Sequence, residues 1–231
     1  MNEVFRQERK FLITLEQFYK YSSHLGKVIQ ADLHSIGNGY VIRSLYFDSI
    51  DDRDFQEKED GVELRRKIRL RVYGKNAEFA MLEMKKKQGP MQKKSSLRMN
   101  KEDAKRLING DYSVLLTYDE KFALECFWML EQYCYRPKAV ITYQRKAFVA
   151  KENKIRITFD YNIKATESNY DIFSDKLNEN YILEPSMVVL EVKYNGFLLS
   201  YIKDMLSECN SSEISVSKYC LGRGFTKGFN L

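Results

Sequence analysis

RRKIRLRVYGKNAEFAMLEMKKK, running from Arg65 to Lys87, alternates residue by residue. Successive side chains of an extended strand point to opposite faces. Lys67, Arg69 and Arg71 therefore share one face, and Ile68, Leu70 and Val72 the other. Tyr73-Gly74-Lys75-Asn76 reads as a reversal, because Gly and Asn tolerate the positive φ of tight turns. The return run repeats the pattern, with Met81, Glu83, Lys85 and Lys87 on one face and Leu82 and Met84 opposite. The stretch predicts a hairpin with one apolar and one strongly ionic face. An ionic strand face ordinarily just meets water.

The same design recurs along the chain. Val4–Ile13 reads as a strand with Arg6, Glu8 and Lys10 on one face. Val41–Asp48 is largely apolar, interrupted by Arg43. Ala139–Arg145 sets Ile141, Tyr143 and Arg145 together, Lys154–Tyr161 sets Arg156, Thr158 and Asp160 together, and Met187–Tyr194 pairs Glu191 with Lys193. Helices are expected between them. Thr14, with Gln17 in capping-box position, opens one that runs to about His24 and closes at Gly26. Asp51–Glu59 is an acidic connection of a turn or two. Gln88-Gly89-Pro90 marks a turn, with Lys93, Lys94 and Arg98 after it. Asn100 caps Lys101–Ile108. Asp119–Tyr133 carries Phe122, Leu124, Phe127, Trp128 and Leu130 at helical spacing and reads as a packed helix. Thr166–Pro185 is polar and gives no clear element. Phe197–Cys209 is amphipathic, Ser217-Lys218-Tyr219-Cys220 enters a short helical turn, and the basic end around Gly222-Arg223-Gly224 frays.

A length of 231 residues suits one large domain or two small ones, and a single domain over 1–231 is expected; 44% hydrophobic content can build a core. A net charge of +6 points toward an anionic partner. The four cysteines form no CxxC pair and there are only two histidines, His24 and His34, so a Cys/His zinc site and a histidine-based nucleophilic triad have little to work with. No Walker-type loop or GxGxxG follows a strand. The charged first ten residues do not resemble a signal peptide, and no apolar run is long enough to span a bilayer. A cytoplasmic protein without a transmembrane segment is expected.

Aliphatic strand faces give the helices something to pack on, so the ionic faces turn away from them. An open sheet would expose those faces; a closed barrel would gather them around a tunnel. The mixture of signs favours the tunnel, because cations can clamp phosphate oxygens and carboxylates can hold Mg²⁺ or Mn²⁺. The tunnel reading gives an α+β fold, an antiparallel β-barrel enclosing a charged tunnel with helices packed outside; on spacing alone a solvated sheet with cross-strand ion pairs stays open beside it.

These residues carry a resemblance. Arg6-Gln-Glu-Arg-Lys10, Ser44-Leu-Tyr-Phe-Asp48, Lys67-Ile-Arg-Leu-Arg71, Leu82-Glu-Met-Lys85, Ile157-Thr-Phe-Asp160, Leu190-Glu-Val-Lys193 and Ser217-Lys-Tyr219 resemble the polyphosphate polymerase domain of the vacuolar transporter chaperone (VTC) complex. That domain lies within the triphosphate tunnel metalloenzyme superfamily. The resemblance implies transfer of the ATP γ-phosphoryl group to a growing polyphosphate chain, with Mn²⁺ or Mg²⁺. It implies phosphate contacts from Lys10, Arg69, Arg71, Lys85, Arg145, Arg156, Lys193 and Lys218, and hydrogen bonds from Tyr143 and Ser217. Glu191 would hold the metal, helped directly or through water by Glu8, Glu83 and Asp160. For Glu8 and Glu83 a structural ion pair is the competing reading. Lys94, with Lys93, would guide an emerging chain unless simply solvated. Arg6 stands where the superfamily's Glu-x-Glu-x-Lys signature has its first Glu, which suits the polymerase branch and leaves one fewer carboxylate. Two alternatives stay open: a metal-dependent triphosphate hydrolase, if water replaces the acceptor chain, and a polyphosphate-binding module without turnover. Nucleic acid is not an expected partner; a separate membrane protein is a possible one.

Overall fold

The computed structural model describes residues 6–33, 35, 37, 39–74, 76–89, 91–209, 213–215 and 217–228, with Arg6 through its backbone. Lys75 and Pro90 of the two predicted turns, Val4 and Phe5 of the first predicted strand, His34 and the Arg6 side chain lie outside the described residues. The chain forms two compact units, each assembled from three interleaved segments. Unit 1 comprises Met1–Val41, Tyr143–Ile163 and Leu183–Val216; unit 2 comprises Ile42–Thr142, Lys164–Ile182 and Ser217–Leu231.

In unit 1, strand β1 (Arg6–Thr14) leads into helix α1 (Leu15–Val28). Thr14 and Gln17 form the expected capping box, the Gln17 amide donating to the Thr14 hydroxyl at 3.2 Å and the Thr14 amide to the Gln17 side chain at 2.9 Å. The helix does not close at Gly26 but continues to Val28, because Gly26 needs no left-handed backbone there and the chain leaves through extended Ile29. A two-residue strand, β2 (Gln30–Ala31), follows.

In unit 2 the connection after β3 (Tyr40–Asp48) forms helix α2 (Arg53–Glu59). The organising hairpin is β4 (Leu64–Tyr73) and β5 (Phe79–Gln88), extended by a strand the sequence did not announce, β6 (Met91–Asn100). Asn100 then caps α3 (Lys101–Ile108), its side chain accepting from the Asp103 amide at 2.8 Å. A 3-10 turn at Tyr112–Thr117 precedes α4 (Lys121–Gln132). The buried face of α4 is Ala123, Cys126 and Leu130, whereas Leu124 and Trp128, expected inside, are exposed. Leu130 is fully buried as expected, and Phe122 and Phe127 pack against the core partly buried.

Strand β7 (Arg136–Val149) runs through both units, and β8 (Arg156–Thr166) belongs mainly to unit 1. The polar Thr166–Pro185 segment holds the short β9 (Asn180–Tyr181) and is pinned by Arg43, which donates to the carbonyls of Ile172 and Ser174 at 2.8 and 2.6 Å. The chain ends with β10 (Met187–Asn195), α5 (Ser200–Ser207) and α6 (Lys218–Thr226).

Strand neighbours run β1-β10-β8-β7 for unit 1 and β7-β3-β4-β5-β6 for unit 2. The β1–β10, β10–β8, β3–β4, β4–β5 and β5–β6 pairs are antiparallel. Neither path closes on itself among the described residues, so the expected closed barrel is corrected to open antiparallel sheet. The exposed, lysine-bearing start of β6 is the kind of edge that resists further pairing. Each unit has its own core. Phe11, Leu25, Phe148, Phe159 and Leu190 pack in unit 1, and Phe47, Ile68, Leu82, Tyr112 and Tyr135 in unit 2.

The C-terminal helix is not frayed at the Gly222-Arg223-Gly224 cluster. All three are buried in α6, and Arg223 donates to Asp52 at 2.5 Å and to Glu167 at 2.8 Å. Asp52 also pairs with Lys138 at 3.0 Å and Lys227 at 2.7 Å. Burial opposes its charge, but these cations outweigh it and hold its pKa below the usual carboxylate value.

Candidate functional site: two ionic sheet faces

Antiparallel register lays side chains abreast, and directly opposed residues share a face. In unit 2 this produces three adjoining rows. Lys67, Lys85 and Lys94 form one; Tyr46, Arg69, Glu83 and Ser96 the next; Ser44, Arg71, Met81 and Arg98 the third. Glu83 is the only acid in them. Its buried carboxylate accepts from Arg69 Nε at 2.7 Å, lies 3.7 Å from Arg71 Nη1 and pairs with Lys94. Burial opposes ionisation, yet Arg69, Arg71 and Lys94 overcome it and bring the Glu83 pKa down to about 2.

The row residues are held by neighbours on the same face. Arg69 Nη1 donates to the Tyr46 hydroxyl at 3.1 Å, and Arg71 Nε to Ser44 Oγ at 3.1 Å. Burial would raise the Tyr46 pKa, but the Arg69 and Arg71 charges prevail and lower it to about 8. Tyr46 stacks on Tyr219 of α6, with centroids 5.1 Å apart. Tyr219 donates to Asp48 at 2.6 Å, and Asp48 also accepts from the Asp54 and Phe55 amides at the start of α2. Docked this way, α6 presents its N-cap: the Lys67 ammonium donates to Ser217 Oγ at 2.5 Å. Lys218 begins the helix.

Unit 1 carries the other predicted residues, and here the signs alternate. Lys10 lies opposite Glu191, Glu8 opposite Lys193, and Lys193 opposite Arg156. Lys10 pairs with Glu8 at 2.7 Å, and Lys193 reaches both Glu191 and, at 3.7 Å, Glu8. Arg145 grips fully buried Asp160 through two bonds of 2.6 and 2.7 Å, and its guanidinium sits over the Tyr143 ring at 5.4 Å. Burial works against the Arg145 charge, but Asp160 prevails and raises its pKa well above the ordinary value. Arg156 pairs with Asp32 at 2.9 Å and donates to Tyr40 at 3.4 Å.

The structure thus gathers Arg69, Arg71, Lys85, Lys94, Glu83, Ser217 and Lys218 in unit 2, and Lys10, Tyr143, Arg145, Arg156, Asp160, Glu191, Lys193 and Glu8 in unit 1. Sequence reasoning gave no role to Lys67, Ser44, Tyr46 or Asp32. Ser44, Tyr46 and Asp48 were readable as one strand face by their spacing of two; Asp32, from a loop, gave no such signal. Among the described residues, no three His, Cys, Asp or Glu side chains come together as a metal site. Asp160 and Glu83 are each held by guanidinium groups. Glu8 and Glu191, which share the Lys193 ammonium, fit a divalent ion better, since Mg²⁺ is commonly held by one or two carboxylates plus phosphate oxygens.

The VTC domain family matches residues 5–226. The chain belongs to the VTC domain family. No curated protein matches it. Solved structures share its fold at low identity. A candidate adenylate cyclase from Bacillus halodurans is 13% identical with a TM-score of 0.52, the alignment covering 92% of this chain and 95% of that one. A candidate adenylyl cyclase from Hippeastrum, whose dominant activity is that of a triphosphatase, is 12% identical with a TM-score of 0.54, covering 99% and 98%. At such identity the likeness is one of fold. The described residues of this VTC domain include no helix long and apolar enough to cross a membrane.

Proposed function

We propose that this VTC domain is a cytoplasmic, metal-dependent polyphosphate polymerase that transfers the ATP γ-phosphoryl group to a growing polyphosphate chain. The observation that carries the reading is the Lys67–Lys85–Lys94 row, flanked by Arg69 and Arg71. Three ammonium groups beside two guanidinium groups concentrate positive charge on one sheet face, which suits a polyanion. ATP and polyphosphate supply one. The family match supports triphosphate chemistry, and the residues suit its demands. Phosphoryl transfer needs positioning and charge neutralisation more than a protein nucleophile. The terminal oxygen of the acceptor chain, already anionic, forms the new P–O bond to the γ-phosphorus as its bond to the β-phosphate oxygen breaks and ADP leaves. No histidine base is required.

In this reading Arg69, Arg71 and Lys85 clamp phosphate oxygens, with Lys94, Ser217 and Lys218 adding contacts. Lys10, Arg145, Arg156, Lys193 and Tyr143 form the corresponding set in unit 1. Glu191 with Glu8 would hold Mg²⁺ or Mn²⁺, which would neutralise charge on phosphates bound in unit 1; Asp160, in the same unit, would act on it only through water. A separate membrane partner would be needed to couple synthesis to translocation.

The test is to incubate the protein with ATP and Mn²⁺, resolve products on a polyphosphate-stained gel and assay ADP and phosphate. Polymer with stoichiometric ADP is expected. Free phosphate without polymer would replace this reading by the hydrolase. Binding of ATP or polyphosphate with neither product would leave a binding module.

A further inference from the structure

Glu83 sits where a phosphate clamp would place its anion. Both of its carboxylate oxygens are engaged: Oε2 by Arg69 and Arg71, Oε1 by Lys94. The rows on either side contain no other acid. A carboxylate gripped by guanidinium on one edge and ammonium on the other presents two anionic oxygens, as a phosphate does. Three cations already occupy its two oxygens. Of its partners, Lys94 is half exposed, while Arg71 is almost enclosed. Lys94 is thus the partner free to swing onto an incoming anion while the arginines stay in place.

We infer that Glu83 is a built-in competitor for the phosphate: it neutralises Arg69, Arg71 and Lys94 when the face is free and must yield them when polyphosphate or a triphosphate binds. This rests on the reading of the face as a phosphate clamp and adds a specificity-determining role to it. Without Glu83, six cations would face one another across three strands with no acid in their rows. With it, the empty face is stable and bound phosphate is held less tightly, which favours release of a chain that must advance. The sign of the effect separates this role from metal ligation. Removing a competitor tightens anion binding; removing a metal ligand weakens it.

The experiment is calorimetric titration of the full chain with tripolyphosphate, once with a chelator and once with Mn²⁺, comparing wild type with Glu83→Gln. The competitor role predicts affinity at least about tenfold tighter for Glu83→Gln in the chelator. It also predicts a lower melting point without ligand and a larger rise on adding tripolyphosphate. Unchanged or weaker binding in the chelator overturns the inference, as does a loss confined to Mn²⁺, which would make Glu83 a metal ligand. Binding by wild type with no gain in the variant sinks this inference alone; no binding by either protein sinks the phosphate reading with it. If Glu83→Gln does not fold, Glu83→Asp keeps the competing charge. Its tripolyphosphate affinity in the chelator should stay within about threefold of wild type, and a tenfold loss would refute the competitor role.

Discussion

Gly222 lies within α6 where a β-carbon would fall 2.5 Å from Ile141 Cδ1, 3.3 Å from Ala165 Cβ and 3.8 Å from Ile182 Cδ1. Ile141 is fully enclosed, so its methyl group has little room to retreat. Overpacking of this kind costs roughly 1–3 kcal/mol. Replacing glycine by alanine in an exposed helix would instead gain about 1 kcal/mol. The balance for Gly222→Ala is a net loss of about 1–2 kcal/mol, since the clash lies at the enclosed end of the range. For a chain of this size that lowers the melting point by about 2–8 °C. Differential scanning calorimetry measures it, and Ile141→Val, which deletes the offending carbon, should recover most of the loss in the double variant. Because α6 carries Ser217, tripolyphosphate affinity should fall in Gly222→Ala and recover with it. A Gly222→Ala protein more stable than wild type by about 1 kcal/mol, as at an exposed helix site, would refute the claim that α6 is seated by close approach.

Other perturbations follow from the buried charges. Burial, with the Asp48 charge beside it, raises the Asp54 pKa to about 7. A carboxyl whose pKa is raised on folding stabilises the fold below its unfolded value and loses that contribution as pH rises through the folded one. Stability should therefore fall between about pH 4 and 7, and Asp54→Asn should flatten that part of a urea-denaturation profile. Glu83 has the opposite sign: its contribution is present above its ordinary pKa of 4.5 and is lost as pH falls toward about 2, a loss that Glu83→Gln removes. Ultraviolet titration should show a tyrosinate forming near pH 8 that Tyr46→Phe abolishes, and tripolyphosphate should shift it upward by neutralising Arg69 and Arg71. Asn100→Ala, which removes the α3 cap, should cost about 1 kcal/mol and leave ligand affinity unchanged.

The hairpin was legible because period-two alternation leaves no choice of face: once Ile68, Leu70 and Val72 go inward, Lys67, Arg69 and Arg71 must share the other side. The caps at Thr14 and Asn100 were legible for a similar local reason. Strand β6 was not, because as an edge strand it buries only Leu97 and Met99, too few apolar residues to announce a period. On α4 the misleading signal was size, since Ala123 and Cys126 pack where Leu124 and Trp128 were expected. The Gly222-Arg223-Gly224 cluster read as a loose tail because neither the close approach to Ile141 nor the Asp52 and Glu167 partners of Arg223 is adjacent in sequence. At the candidate site, strand periodicity told which residues share a face. It could not tell which carboxylate each cation meets, because that depends on register between distant strands. Glu83 among cations and Lys193 between Glu8 and Glu191 emerge only once the strands are paired.

Lys85 and Lys86 are neighbours in the chain on opposite faces of β5. Lys85 stands in the middle of the lysine row, while Lys86 pairs with Glu125 of α4. Tripolyphosphate affinity of Lys85→Met and Lys86→Met, measured by calorimetry at one salt concentration, tests the phosphate-binding face most directly. The expected result is a loss of about tenfold or more for Lys85→Met and no more than about a twofold change for Lys86→Met. Equal losses in both, or none in Lys85→Met, would contradict it.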